Sequence, residues 1–234
     1  MPCPLLRDTI GAIYEFTNTQ NYNFEMFTNQ KNEDANCLLE LKKIGIMNEM
    51  ELPRLMVDDS QKDGPAEHVM DYIISWTLRR ADCKCRGEKP ILYGYCRQIL
   101  ARLLGLRLED EIVFDSVKVW KQDQKVDLWV ELVVKQGDVS ELHSILIEDK
   151  FYGKLGANQL KDYKELFEQH YSKQAQEWHK HYVLISRIKR GEIFDAYYGK
   201  AQNLGFTTFS FEEIFGYEHD ECESDIFNEF WLRW

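Results

Sequence analysis

Asp127, Glu148 and Lys150 have the types and spacing of a metal-assisted hydrolytic site. Asp127 lies in the apolar segment 126–134, and Glu148 and Lys150 end the segment 143–150 as an E-x-K triplet. Carboxylate oxygens are the hard ligands that Mg²⁺ or Mn²⁺ prefers, and a lysine can orient a water molecule or offset negative charge. Brought together at one edge of a sheet, these groups would support phosphodiester cleavage.

The two segments that carry these residues are predicted to form an antiparallel hairpin. Both are rich in β-branched and aromatic residues, and the turn-prone sequence KQGD lies between them. Alternation along the first strand puts Asp127 on the face opposite an apolar series, which consists of Val126, Leu128, Val130 and Leu132. In the second strand Glu148 and Lys150 share a face. The Asp149 side chain points away from them, so its backbone carbonyl is a third candidate metal ligand.

A helix is predicted over residues 157–171, directly after the hairpin. It carries Gln159 and Tyr163, which lie on one face because they are four residues apart. If that face meets the end of the hairpin, Gln159 would hydrogen-bond the water or a phosphate oxygen. Tyr163 is surrounded by apolar helix residues, so core packing and a functional contact both remain open for it.

The order of these motifs resembles the PD-(D/E)XK nuclease superfamily, and within it the exonuclease-type branch with a Q-x-x-x-Y motif. The resemblance covers residues 66–211 and rests on Asp127, on E-D-K at 148–150 and on Q-L-K-D-Y at 159–163. One position departs from the pattern, because Val126 stands where the family often has a proline.

The resemblance implies a role for each motif residue. Asp127 and Glu148 would coordinate the metal, and Lys150 would be catalytic. Gln159 would assist at the active site or at the phosphate, and Tyr163 would pack or contact substrate.

Glu67 is a further candidate that the resemblance supplies. Family members often carry a glutamate on a helix before the sheet, and Glu67 begins such a segment here. The resemblance implies that Glu67 would be an outer ligand or a ligand of a second metal. A carboxylate in the first turn of a helix also stabilises the helix dipole, so capping and metal binding both remain open.

Charge and composition limit the function classes. The formal net charge of −11 means that a basic surface for nucleic acid would have to be local. The six cysteines follow no framework spacing and are expected to be reduced thiols. No apolar stretch approaches the ~20 residues of a membrane span, and no export leader is recognisable, so a cytoplasmic protein without membrane contact is expected.

The predicted architecture is α/β, or α+β-like, with a restriction-endonuclease-like core in residues 61–234. Its central mixed sheet is flanked by helices, and residues 1–60 form a helical N-terminal region of unknown role. The predicted strands are residues 116–120, 126–134, 143–150, 179–187 and a short one near 207–211. The predicted helices are residues 5–14, 38–46, 66–81, 91–106, 157–171 and the C-terminal segment 224–234, with Ile226, Phe227, Phe230 and Trp231 inward.

The expected function is a Mg²⁺- or Mn²⁺-dependent nuclease whose partner is nucleic acid, with DNA as the expected substrate. Two other classes remain open: a catalytically inactive binding module on the same fold, and a metal-dependent hydrolase of RNA or small phosphate esters. The oligomeric state is not fixed by the sequence, although a dimer would suit cleavage of both strands.

Two further groups of residues could be either ordinary surface residues or parts of a functional site. His179 and His181 flank the predicted fourth strand and His143 opens the third, and surface histidines at a strand edge are far commoner than a metal site formed by His179 and His181. Lys189 and Arg190, after Arg187, form a compact basic patch that either contacts phosphates or is a solvated loop.

Overall fold

The computed structural model describes Leu55 and residues 66–109, 111–123, 126–216 and 219–233. These residues form an α/β structure in which helices flank a five-stranded mixed sheet. The predicted helical region 1–60 lies outside the described residues, apart from Leu55. None of the helices in the described ranges is both long enough and apolar enough to cross a membrane.

The sheet combines an antiparallel meander with two parallel strands. β1 (Ile112–Asp123), β2 (Val126–Gln136) and β3 (Val139–Lys150) pair antiparallel. β4 (His179–Ser186) and β5 (Thr207–Ser210) then pair in parallel, so the strand order is β1-β2-β3-β4-β5. Parallel pairing needs crossover connections, and helices supply them here.

Four longer helices surround this sheet. α1 (Ala66–Arg80) and α2 (Pro90–Leu104) precede β1. α3 (Gln159–Ser172) connects β3 to β4, and α4 (Glu192–Asn203) connects β4 to β5. The shorter elements are a 3₁₀ turn at Cys83–Cys85, α5 (Phe211–Ile214), α6 (Asp225–Phe227) and a π-helical turn at Asn228–Leu232.

Each face of the sheet has its own apolar core. On one face Leu128, Val130, Ile145 and Ile147 pack with residues of α1, α2 and the C-terminal segment. On the other face Trp129 and Leu146 pack with residues of α3 and α4. Alternation in β2 and β3 explains this division, since neighbouring residues point to opposite faces. Val126 is an exception to the predicted apolar series, because it belongs to the second core.

Four elements differ from the sequence prediction, and one of them is β3, which begins at Val139 and not at His143. β1 is longer than residues 116–120, because it pairs along β2 through a register shift between Asp115 and Lys118. α4 was not predicted. The C-terminal segment is a short helix and a π-helical turn, and Ile226 is 55 % exposed, so its predicted inward position is wrong, whereas Phe227, Phe230 and Trp231 are buried.

Candidate functional site

The hairpin brings the aspartate and the E-D-K triplet to the same end of the sheet. Leu128 of β2 pairs with Ile147 of β3, so Asp127 and Glu148 occupy the next positions outward on the two strands. Oδ2 of Asp127 accepts a hydrogen bond of 3.1 Å from the backbone N–H of Asp149. This bond fixes the Asp127 carboxylate beside the triplet.

The ammonium group of Lys150 lies among the oxygens that were predicted to bind metal. Its Nζ is 2.5 Å from Oε1 of Glu148 and 3.8 Å from Oδ2 of Asp127. It also donates a hydrogen bond of 3.0 Å to the backbone carbonyl of Asp149. A divalent cation held by the same oxygens would therefore have to displace the ammonium from Glu148 and from this carbonyl.

Glu148 is fully buried, and its two oxygens have different surroundings. Oε1 accepts hydrogen bonds from Lys150 and, at 2.5 Å, from Nε2 of Gln159. Among the residues that the structure describes, no N–H or O–H group donates to Oε2. Burial raises the pKa of Glu148 to about 8, and the negative charge of Asp127 contributes to the increase.

Lys150 remains a cation at this site. Burial alone would lower the pKa of its ammonium, but the carboxylates of Glu148 and Asp127 outweigh burial and raise that pKa above its ordinary value. The group therefore provides positive charge and N–H donors, and it has no tendency to act as a general base.

The first turn of α3 positions Gln159 at the site. Its Oε1 accepts the backbone N–H of Gly156 at 3.1 Å, so the amide nitrogen is directed to Glu148. The same nitrogen is 3.3 Å from the hydroxyl oxygen of Tyr163, which can accept a hydrogen bond from it. Tyr163 is half-buried and packs against the core that α3 shares with the sheet. Its hydroxyl is thus near the site, whereas its ring is part of the core.

Glu67 reaches the site from the first turn of α1. Its Oε1 accepts the backbone N–H of Phe151 at 3.4 Å, one residue after Lys150. The backbone at Gly153 passes so close that an added Cβ would lie 3.1 Å from this oxygen. The structure therefore places Glu67 beside the triplet and in a helix first turn, and both predicted roles fit this position.

Sequence reasoning missed an acidic pair beneath the site. The Asp149 side chain points away from Glu148, as alternation predicts, and it meets Asp71 of α1 on the other face of the sheet. Carboxylate oxygens of Asp71, Asp127 and Asp149 lie within 4.8 Å of one another. Asp71 and Asp149 are 4 % and 1 % exposed. Asp71 is four residues after Glu67, so the helical periodicity of α1 was the available signal.

The surroundings of Asp71 and Asp149 favour the protonated form of their carboxyl groups. Burial raises the pKa of Asp71 to about 6, and the charge of Asp127 also acts in that direction. Burial raises the pKa of Asp149 well above its usual range, with Asp71 as the next cause. Asp71 Oδ1 and both carboxylate oxygens of Asp149 are buried and have no hydrogen-bond partner among the described residues, so protonation would relieve the cost of burial and the repulsion between the two carboxylates.

A basic cavity lies next to the E-D-K triplet. The backbone N–H of Arg187 donates to the carbonyl of Lys150 at 3.1 Å, which joins the end of β4 to the site. The cavity has a volume of about 790 Å³, and the residues that line it include Arg187, Lys189, Arg190, Tyr152 and Tyr197. Arg190 is held in place, since its guanidinium donates to the carbonyl of Thr208 and to Glu213. The predicted basic patch is therefore part of a cavity wall.

The chain was compared with family models, with curated proteins and with solved structures. None of the three comparisons gives a match. Any functional conclusion therefore depends on the geometry and chemistry of the residues themselves.

Proposed function

We propose that this protein is a Mg²⁺- or Mn²⁺-dependent nuclease of the PD-(D/E)XK type that hydrolyses phosphodiester bonds in DNA. The observation that carries this proposal is the position of the Lys150 ammonium among the Asp127, Glu148 and Asp149 oxygens, with Gln159 donating to Glu148. The meander, the crossover helix and the parallel fourth strand support a restriction-endonuclease-like core.

The oxygens at the site fit a hard divalent cation. Asp127, Glu148 and the backbone carbonyl of Asp149 would hold it, since all three offer oxygen ligands at one end of the hairpin. Oε2 of Glu148 is buried and receives no hydrogen bond from any described residue, as expected for a ligand atom. When bound, a divalent cation supplies Lewis-acid chemistry, because it offsets phosphate charge and lowers the pKa of an adjacent water.

The other catalytic roles would belong to three side chains of the protein. Lys150, displaced from Glu148 by the cation, would donate N–H groups to the attacking water or to the scissile phosphate, and its charge would stabilise the transition state. Gln159 would orient the Glu148 carboxylate and hydrogen-bond the water or a phosphate oxygen. Tyr163 would support the Gln159 amide and lie within reach of substrate.

The basic cavity supports nucleic acid as the partner of an otherwise acidic protein. Arg187 provides positive charge beside the triplet, Lys189 adds a charge that its ion pair with Glu212 at 2.8 Å partly offsets, and Tyr152 is 48 % exposed. Cationic side chains bind the phosphate backbone, and exposed aromatic rings offer surfaces on which bases stack. Binding through these exposed charges would weaken as the ionic strength rises.

The proposed function is tested by metal-dependent cleavage at low salt. Wild type, Lys150→Ala and the matched control Lys161→Ala, an exposed lysine of α3, would be incubated with DNA, RNA and small phosphate esters in Mg²⁺ or Mn²⁺. We expect wild type and Lys161→Ala to cleave DNA, and we expect Lys150→Ala to cleave it about 100- to 1,000-fold more slowly, the range for removal of one transition-state donor.

Several results would contradict the proposal. Normal cleavage by Lys150→Ala would exclude the proposed role of the lysine. Activity confined to RNA or to small phosphate esters would show that DNA is not the substrate. No metal-dependent hydrolysis of any substrate, together with unchanged Mn²⁺ binding in Asp127→Asn/Glu148→Gln, would favour the inactive binding module.

A further inference from the structure

Three histidines gather at the end of the sheet opposite to the E-D-K triplet. β3 and β4 are parallel, and their register pairs His143 with His179 and Ile145 with His181. Because residues two apart on a strand share a face, all three imidazoles lie on the same side of the sheet. Half of the six histidines in the chain are in this cluster. His143 is buried, because β3 is a central strand.

Glu141 brings a carboxylate to the same cluster. Its Oε2 is 3.4 Å from Nε2 of His143, and its Oε1 is 3.9 Å from Nε2 of His179. One ligand atom from each of Glu141, His143 and His179 lies within 4.8 Å of the other two. Good hydrogen bonds between such groups measure 2.7–3.2 Å. Two ligands of one tetrahedral ion with 2.0–2.1 Å bonds are instead about 3.3 Å apart, which is close to the shorter of the two separations.

His181 orients the buried imidazole. Nδ1 of His143 is 3.1 Å from Nε2 of His181, a hydrogen-bonding distance. If His143 donates through Nδ1, its Nε2 lone pair is directed to Glu141 and is free to bind a metal. Metal-binding histidines commonly have such a partner on the second nitrogen, because it fixes the tautomer and the orientation of the ring. The His143 ring also stacks on both neighbouring imidazoles.

We propose that Glu141, His143 and His179 bind Zn²⁺ or a related late first-row divalent ion, with His181 as a positioning residue. Two imidazoles and one carboxylate are donors that select Zn²⁺, Co²⁺ or Ni²⁺ over Mg²⁺. The fourth coordination position is left to water. Because the ligands come from the starts of β3 and β4, the ion would join two parallel strands far from Asp127 and Glu148 along the same sheet. The proposal is therefore independent of the nuclease assignment.

The test uses the full 234-residue chain in an Asp127→Asn/Glu148→Gln background, so that the carboxylate site does not contribute. Zn²⁺ would be titrated calorimetrically into chelator-treated protein, and Co²⁺ binding would be followed by visible absorption. We expect one equivalent of Zn²⁺, tetrahedral-type Co²⁺ bands and no displacement by excess Mg²⁺.

Exposed ligands provide the variants, since replacement of the buried His143 could unfold the protein. Glu141 and His179 are both about half exposed. We expect Glu141→Gln and His179→Ala to weaken Zn²⁺ binding at least about 100-fold, and His181→Ala to weaken it by about 10–100-fold, the range for loss of a supporting hydrogen bond. His170→Ala, an exposed histidine of α3, is the matched control and should bind Zn²⁺ like the parent.

Two outcomes would overturn the proposal. One is the absence of saturable Zn²⁺ binding to the parent protein. The other is equal binding by the parent and His179→Ala. In that case loss of binding in Cys83→Ser would assign the ion to a different group, formed by Asp82, Cys83 and Asp115.

Discussion

The ammonium group of Lys150 lies 2.5 Å from Oε1 of Glu148, in a position that competes with any cation held by the same carboxylate. Lys150 also donates to the Asp149 carbonyl. Lys150 is thus the counter-ion of Glu148 in this structure, and under the proposed function a bound metal would take over that role and release the ammonium for substrate.

Removal of the Lys150 charge should separate metal binding from cleavage. We expect Lys150→Met to lose DNA cleavage while Mn²⁺ affinity at pH 8.5 stays within about tenfold of wild type, because the three oxygen ligands remain and a competitor is lost. Calorimetric Mn²⁺ titration beside a cleavage assay measures both quantities. Loss of Mn²⁺ binding in this variant would mean that the lysine builds the ligand set and does not compete with the metal.

The raised pKa of Glu148 predicts how stability depends on pH in the metal-free protein. The pKa of this carboxyl is about 8 in the folded protein and 4.5 ordinarily, so between these values the folded state binds the proton more tightly. The free energy of unfolding should therefore fall as pH rises through that window, by up to ~1.4 kcal/mol for each unit of pKa difference.

Urea unfolding between pH 5 and 9 in the presence of chelator measures this dependence. The raised pKa values of Asp71 and Asp149 also make the free energy of unfolding fall as pH rises. The contribution of Glu148 is therefore obtained by comparing the pH dependence of the unfolding free energy in wild type and in Glu148→Gln. We expect a shallower slope in the variant. Identical slopes would show that Glu148 ionises at its ordinary pKa in the fold.

Local sequence patterns predict the hairpin and its site because the determinants are close together in the chain. The apolar alternation of β2 and β3 and the turn between them bring Asp127 to Glu148 without any distant contact. The first turn of α3 then needs only a short connection to bring Gln159 to the same place. This accounts for the meander, the crossover helix and the predicted site residues that are found together.

Contacts that depend on packing between distant elements could not be predicted in the same way. The meeting of Asp71 with Asp149 requires the position of α1 across the sheet, and the meeting of His143 with His179 requires the register of a parallel strand. α4 gave a weak periodic signal because it buries only Phe194, Tyr198 and Ala201 and contains Gly199.

The Tyr163 hydroxyl should contribute little to the free energy of unfolding and more to DNA cleavage. The described contact of this hydroxyl is with the Gln159 amide at 3.3 Å, and the ring packs in the core without it. We expect Tyr163→Phe to change the free energy of unfolding by about 1 kcal/mol or less. If the hydroxyl also meets substrate, KM for DNA should rise in this variant. An unchanged KM and kcat would assign Tyr163 to packing alone.

The repulsion between Asp71 and Asp149 predicts a stabilising substitution. Both carboxyls are buried, and their pKa values are raised chiefly by burial, so at pH 8 ionisation of the pair is unfavourable. Asp71→Asn removes one charge and offers an amide N–H to Asp149. We expect a higher Tm than wild type at pH 8 with chelator present, because pH 8 is above the Asp71 pKa of about 6 and the buried carboxyl is ionised there, and little difference at pH 5, where Asp71 is mostly protonated. Exposed Asp162 of α3, replaced by asparagine, is the control. A lower Tm for Asp71→Asn at pH 8 would mean that the Asp71 carboxylate makes stabilising contacts that outweigh its burial and its repulsion with Asp149.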